Sequence, residues 1–265
     1  MKEKITVLET INLSIGYALK HRQKKVLCHN MNLKLFKGNV TSLLGLNGSG
    51  KSTLLRTLCG FLNPIEGEIR INGKNIKSFS ESKMATTLGL VLTEKTNAGG
   101  MKVKELVSLG RHPYTGFFGN LKEADYKIIE ESMDAVNISH KADNYVSELS
   151  DGERQKVMIA KALAQECPII FLDEPTAFLD IIAKVEIMLL LKKLSHEQNK
   201  TILLSTHDMN TALDMSDDLW LLGHDKIING STEELIKNQK INDIFESDKI
   251  KFDSRLRSFS CLSSL

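Results

Sequence analysis

"VTSLLGLNGSGKSTLLRTL", Val40 to Leu58, decides the fold. Its centre, Gly45 to Thr53, matches the pattern G-x-x-x-x-G-K-[ST]. Glycines at Gly45, Gly48 and Gly50 let successive backbone N–H groups turn inward around a polyphosphate. Lys51 has the reach for β- and γ-phosphates, and the Ser52 hydroxyl suits Mg²⁺. Asn47, Ser49 and Thr53 complete the candidate binding loop. "VTSLL" before it reads as a buried strand, and "TLLRTLCGFL" after it reads as a helix. That order puts the loop at a helix N-terminus, where free N–H groups and the helix dipole favour an anion. A nucleoside triphosphate is the expected ligand.

Outward from the loop, Lys34 to Leu44 reads as strand, turn and strand, with the turn at Lys37-Gly38-Asn39. "GEIRINGKNI", Gly67 to Ile76, reads as a hairpin closing at Asn72-Gly73. From about Val103 to Leu163 the pattern becomes helical. "VKELVSLG" is expected to end at Gly110. "LKEADYKIIEESMDAVN" carries a stripe at Leu121, Ala124, Ile128, Met133 and Val136, with Asn120 as its cap. "ERQKVMIAKALAQE" follows Ser150. Strands return at Pro168 to Asp173 and Thr201 to Thr206, separated by a helix around Ile182 to Leu194. Alternating strands and helices indicate an α/β protein. The expected organisation is a single domain over 1–250, with a helical lobe inserted at about 95–163. The Ser-rich end, 251–265, is expected to fray.

The bulk composition narrows the function. Lys+Arg 35 against Asp+Glu 33 leaves a net charge of +2, without the basic excess that a nucleic-acid surface needs. Cys28, Cys59, Cys167 and Cys261 are far apart, which disfavours zinc or a disulfide framework and implies reduced thiols. No run of about 18 apolar residues is present, and the start lacks a signal-peptide core. A soluble, intracellular chain is the expectation.

Two further stretches carry chemistry. "IIFLDEP" is four apolar residues followed by Asp173 and Glu174, acids at the carboxyl end of a buried strand, where ligands bind in parallel sheets. Asp173 suits Mg²⁺, and Glu174, one residue on, suits orienting or deprotonating a water. In "LSDGERQKV", Ser150 and Glu153 have the spacing of a capping box, which opens many ordinary helices. A helix start with a small hydroxyl residue and Gly152 can equally receive a phosphate.

Together these motifs resemble the ATP-binding cassette (ABC) family, over nearly the whole chain. "GLNGSGKST" resembles its Walker A, "IIFLDEP" its Walker B and "LSDGE" its signature. "AFLD" (Ala177 to Asp180) resembles the D-loop, and "STHD" (Ser205 to Asp208) the switch region with His207. Tyr17 stands where the family places an aromatic ring against adenine. The resemblance implies a P-loop ATPase core with a mainly parallel sheet, an N-terminal antiparallel β subdomain and the inserted helical lobe. It implies ATP and Mg²⁺ as ligands, with Lys51, Glu174 and His207 catalytic and Ser52, Asp173 and Thr93 at the metal. It further implies head-to-tail pairing of two copies, each nucleotide lying between one chain's loop and the other's Ser150 and Gly152.

"VKELVSLGRHPYTGFFGNL", Val103 to Leu121, resembles the stretch that opens the lobe in importers of iron chelates, haem and cobalamin. The implied partners are a membrane permease docking on the lobe and, indirectly, an extracytoplasmic substrate-binding protein. The implied location is peripheral, at the cytoplasmic face of the membrane. Arg111 and His112, among aromatics, suit the docking. Two positions depart from the family: Thr93, followed by Glu94, stands where Gln is usual, and Asp151 stands in the signature where Gly is usual. Other transporters, a metal-ion importer or an exporter, would share the ATPase motifs. A weakly hydrolysing regulatory module is the alternative that the two departures suggest. Cassettes of DNA repair would need a long coiled-coil or zinc-bearing insertion, which this sequence lacks.

Overall fold

The computed structural model describes residues 4–18, 24–92, 100–116, 119–246 and 250–261. In chain order the first elements are β1 (Thr6–Ala18), β2 (Lys24–Met31), β3 (Lys34–Phe36), β4 (Val40–Gly45) and α1 (Lys51–Leu58). Then come β5 (Glu66–Ile71), β6 (Lys74–Asn75), α2 (Glu81–Ala85) and β7 (Leu88–Val91). The lobe contributes α3 (Val103–Ser108), α4 (Glu123–Ala135) and α5 (Asp151–Ala164). The remainder is β8 (Ile169–Asp173), α6 (Ile181–Gln198), β9 (Thr201–Thr206), α7 (Met209–Met215), β10 (Asp218–Leu222) and β11 (Ile227–Ser231). It closes with α8 (Thr232–Lys237), α9 (Asn242–Phe245), β12 (Ile250–Asp253) and β13 (Ser258–Cys261).

Among the described residues, the main sheet has the order β11-β10-β4-β9-β8-β7 and is parallel except for β11 at its edge. Every residue of β4 and β9 is buried, the pattern of strands covered on both faces. β1 pairs antiparallel with β2, β3 and β5 in a second sheet. The expected hairpin closes at Asn72-Gly73, with φ of 49° and 75°, as a two-residue primed turn demands. One face of the main sheet packs against this layer and α1 through Leu8, Leu35, Leu54, Phe171 and Trp220. The other face shares a core with the lobe: Val107, Ile129, Met133 and Val157 meet Leu172, Ile202 and Leu204. The lobe is therefore anchored by apolar burial, at roughly 1.5–3 kcal/mol per large side chain.

Several expectations are corrected. The chain does not leave its helical course at Gly110; a 3₁₀ turn, Leu109–Tyr114, follows α3 directly. Gly110 serves close approach instead, since a Cβ there would lie 2.2 Å from the Lys161 carbonyl oxygen of α5. Asn120 is not the cap of α4, which starts at Glu123; the Lys122 N–H donates to Asp125 Oδ2 at 2.9 Å. The buried face of α4 is Asp125, Ile129, Ser132 and Met133, with Ala124 exposed and Ile128 half-buried. That rotation delivers Asp125 to the buried Arg111. Nor is the Ser-rich end frayed over 250–261. β12 and β13 form a hairpin whose Phe252 is buried, its ring 5.4 Å from that of Phe259.

Candidate nucleotide site

The loop between β4 and α1 has the backbone that its glycines allow. Gly48 and Gly50 have φ of 79° and 104°, conformations costly for a side chain. A Cβ at Gly45 would lie 2.7 Å from Ser49 Oγ and 2.8 Å from the Leu222 carbonyl oxygen, so Gly45 is packed as well as flexible. Lys51 is buried, its Nζ donating to the carbonyl oxygens of Gly45 at 2.9 Å and Leu46 at 3.4 Å. A cleft of about 350 Å³ is lined by Tyr17, Asn47, Gly48, Gly50, Lys51, Ser52, Thr53 and Glu174. Tyr17 stands half-exposed beside it, its hydroxyl 2.5 Å from Thr53 Oγ1.

The strand ends supply the acids. Glu174 leaves β8 at φ 45°, a left-handed conformation held by its N–H donating to Ser205 Oγ at 2.9 Å. The same hydroxyl donates to Asp173 Oδ1 at 2.6 Å. Ser205 thus fixes both acids at once. Glu174 Oε1 lies 3.8 Å from Lys51 Nζ, and its Oε2 is 3.2 Å from His207 Nδ1. The main chain and three side chains (Lys51, Glu174, His207) converge on one place.

Ser150 and Gly152 are not in this cleft. Ser150 caps α5 in a reciprocal box: its N–H donates to Glu153 Oε2 at 3.0 Å, and its Oγ accepts from the Glu153 N–H at 3.2 Å. The bond from the Ser150 N–H, opposed by desolvation and helped by the charge of Lys141, holds the Glu153 carboxyl below the usual range. Because Ser150 Oγ accepts there, its own proton stays available to donate outward. Asp151 turns to Arg154 Nη1 at 2.7 Å, which offsets the charge that this position adds to the signature. A Cβ at Gly152 would meet Ala183 Cβ of α6 at 3.3 Å. Thr93 and Glu94 lie outside the described residues.

Do these groups fit a nucleotide and a cation? The loop leaves the buried Ser49 Oγ without a partner, beside open space over Gly48. Among the described residues no cluster of three or more His, Cys, Asp or Glu could cage a metal ion. One carboxylate and one hydroxyl suffice for Mg²⁺ when phosphate oxygens and retained waters complete its shell. Both ligands fit.

Ser205 was not a candidate at the sequence level. The signal lay in register, Asp173 opposite Ser205 across parallel strands, which spacing along the chain does not reveal. A larger groove, about 730 Å³, lies past the carboxyl end of α1, lined by Phe61, Ile76, Phe79, Met84, Leu90 and Gln165 among others.

A strand–loop–helix phosphate cradle facing two strand-end acids defines a P-loop nucleotide-hydrolysing cassette. The ABC transporter family matches residues 28–177, and the chain belongs to that family. It is an ATP-binding cassette, of the class that couples ATP hydrolysis to transport. Similar proteins include an uncharacterised ABC transporter ATP-binding protein of Methanocaldococcus jannaschii, 42% identical across 91% of this chain and 81% of its own. The ferric enterobactin transport ATP-binding protein FepC of Escherichia coli is 34% identical, across 92% of this chain and 89% of its own. Among solved structures, one of an ABC transporter assigned to the metal-chelate type, inward-facing, aligns with TM-score 0.78 and 28% identity over 97% and 96% of the two chains. A dimeric post-hydrolysis structure of the cassette MJ0796, bound to ADP and Pi, aligns with TM-score 0.72 and 27% identity over 85% and 98%. Among the described residues no helix is long and apolar enough to cross a membrane.

Proposed function

We propose that this chain is the ATP-hydrolysing subunit of an importer that takes up an iron chelate, a ferric siderophore first, with haem and cobalamin as the other cargoes. The single observation that carries the hydrolytic part is the Lys51–Glu174–His207 convergence over a glycine cradle. The cargo class is carried by the likeness to FepC along nearly the full length.

In this reading the phosphates lie along Gly45 to Thr53, and Tyr17 stacks on the adenine. The Glu174 carboxylate accepts the proton of the attacking water, held in place by the His207 ring and by Ser205 at its backbone. Lys51 exchanges its carbonyl partners for the β- and γ-phosphate oxygens, a stronger charge-assisted bond. Ser52 and Asp173 would hold Mg²⁺, with Thr93 near it, and the ion would neutralise phosphate charge. A second copy, placed head to tail, brings its Ser150 hydroxyl and Gly152 N–H to the γ-phosphate. ATP then closes the pair and its hydrolysis opens it. The dimeric cassette MJ0796 supports this pairing. A permease segment would dock where the lobe borders the large groove, at Gln165 beside Phe61 and Met84, placing the subunit peripherally at the cytoplasmic face of the membrane. An extracytoplasmic binding protein delivers the cargo to the permease.

The test is uptake of labelled ferric siderophore by cells lacking this chain, complemented with the wild type or with Glu174→Gln, and with haem and cobalamin as parallel arms. Wild type should restore uptake of one cargo, and Glu174→Gln should not. Restored uptake with Glu174→Gln would remove hydrolysis from the mechanism. Restoration of none of the three would refute the cargo class.

A further inference from the structure

Arg111 was expected on a docking surface, but it is 4% exposed. Its Nε donates to Asp125 Oδ1 of α4 at 2.9 Å. Its Nη1 donates to the Ala164 carbonyl oxygen, at the end of α5, at 2.8 Å, and to Glu166 Oε2 at 2.6 Å. The guanidinium lies 4.1 Å from the centre of the Tyr114 ring, and the Tyr114 hydroxyl donates to the Gln165 carbonyl oxygen at 3.0 Å. From Gln165 the bonds continue: its Nε2 donates to the Ala85 carbonyl oxygen of α2 at 2.6 Å. One buried cation therefore ties α4 to the carboxyl end of α5, and Gln165 extends the tie to the end of α2. Ala85 and Gln165 both line the large groove.

The consequence lies at the other end of α5. Fourteen residues at 1.5 Å each make a rod about 21 Å long, from Ala164 to the Ser150 cap. A tilt of about 5° at the braced end moves the far end by about 2 Å, enough to break a hydrogen bond that needs 2.7–3.2 Å. The rest of the hold on α5 is mainly apolar, through Val157, Ile159 and Leu163, which is non-directional. Ion pairs further along it, Lys156 with Glu186 of α6 at 2.8 Å and Lys141 with Glu153 at 3.5 Å, are made by flexible lysine stems. A planar guanidinium with fixed donors is directional. Close packing at Gly110 adds a contact at Lys161, one turn back from the same end.

We propose that Arg111 is a positioning residue for the paired site. By fixing the carboxyl end of α5 it sets the placement of Ser150 and Gly152 against the nucleotide of a second copy. The inference rests on the head-to-tail pairing proposed above.

The experiment uses the full chain carrying Glu174→Gln with Mg-ATP, and reads two quantities. Sedimentation across a concentration range gives the half-pairing concentration, and a fluorescent ATP analogue gives single-chain affinity at concentrations below pairing. Arg111→Lys keeps the charge but loses the fork. It should raise the half-pairing concentration about tenfold or more, with nucleotide affinity within about twofold of the parent. Tyr114→Phe removes only the hydroxyl bond to Gln165 and should raise it about threefold. Unchanged pairing in both variants overturns the proposal. So does a loss of nucleotide affinity that parallels the loss of pairing, which would make Arg111 a general support of the fold. Should Arg111→Lys fail to fold, Tyr114→Phe decides alone. A parent that stays single with Mg-ATP refutes the head-to-tail reading and the brace with it, whereas a parent that pairs isolates the brace.

Discussion

Gly110→Ala should be among the most damaging single-methyl additions in the lobe. The added Cβ would stand 2.2 Å from the Lys161 carbonyl oxygen and 2.9 Å from Ala164 Cβ, against 3.4 Å for ordinary contact. The shortfall at the oxygen is about 1.2 Å, and that oxygen belongs to the backbone of α5, so relief requires the helix itself to move. Overpacking typically costs about 1–3 kcal/mol, and a helix backbone as the obstacle puts this case at the upper end, about 3 kcal/mol. For a chain of this size each kcal/mol lowers Tm by about 2–4 °C, so a drop of about 6–12 °C is expected in thermal unfolding. Gly100→Ala is the control, since among the described residues a Cβ there meets nothing within 4 Å. A drop below about 2 °C for Gly110→Ala, or an equal drop for the control, would refute close approach as the reason for glycine at this position.

Two further outcomes follow from the buried groups. The Lys122 N–H and then the Arg111 guanidinium hold the Asp125 carboxyl below the usual carboxylate range. A lowered folded pKa means that its stabilisation is complete above the ordinary value of about 3.9 and is lost as pH falls through the lowered one. Asp125→Asn should therefore lower Tm at pH 7, with the gap to wild type narrowing as pH falls below about 4; a gap constant with pH would contradict the assignment. Burial pushes the Cys167 thiol up to about 12 and raises Cys28 and Cys59 as well. In a thiol titration at pH 8 these three should react only on unfolding, and more than one reactive thiol per native chain would count against it.

Much of the core was legible because its signals are local. The glycine loop, the apolar runs of β8 and β9, the Asn72-Gly73 turn and the Ser150–Glu153 box are each written within a few residues of one another. What was misread depends on partners far along the chain. Arg111 looked like a surface cation until Asp125 and Glu166 surrounded it. Asp125, turned to Arg111, shares the buried face of α4 with Ile129 and Met133, so that face could not be read from apolar period alone. Gly110 looked like a helix stop when its missing side chain answers to α5. Ser205 was read only as the start of the switch region, and its hold on both acids had no signal without strand register. Phe252 and Phe259 bury a tail whose serines suggested only solvent.

The order β4-β9-β8 has a metrical consequence. Neighbouring strands sit about 4.8 Å apart, so the strand feeding the phosphate loop and the strand carrying the two acids are held about 10 Å from each other. β9 fills the interval, and its end delivers Ser205 and His207 between them. The spacing of the reacting groups is thus ruled by the pitch of the sheet rather than by any loop. Insertions in the connections between these strands leave that ruler untouched, whereas a changed strand order would erase it.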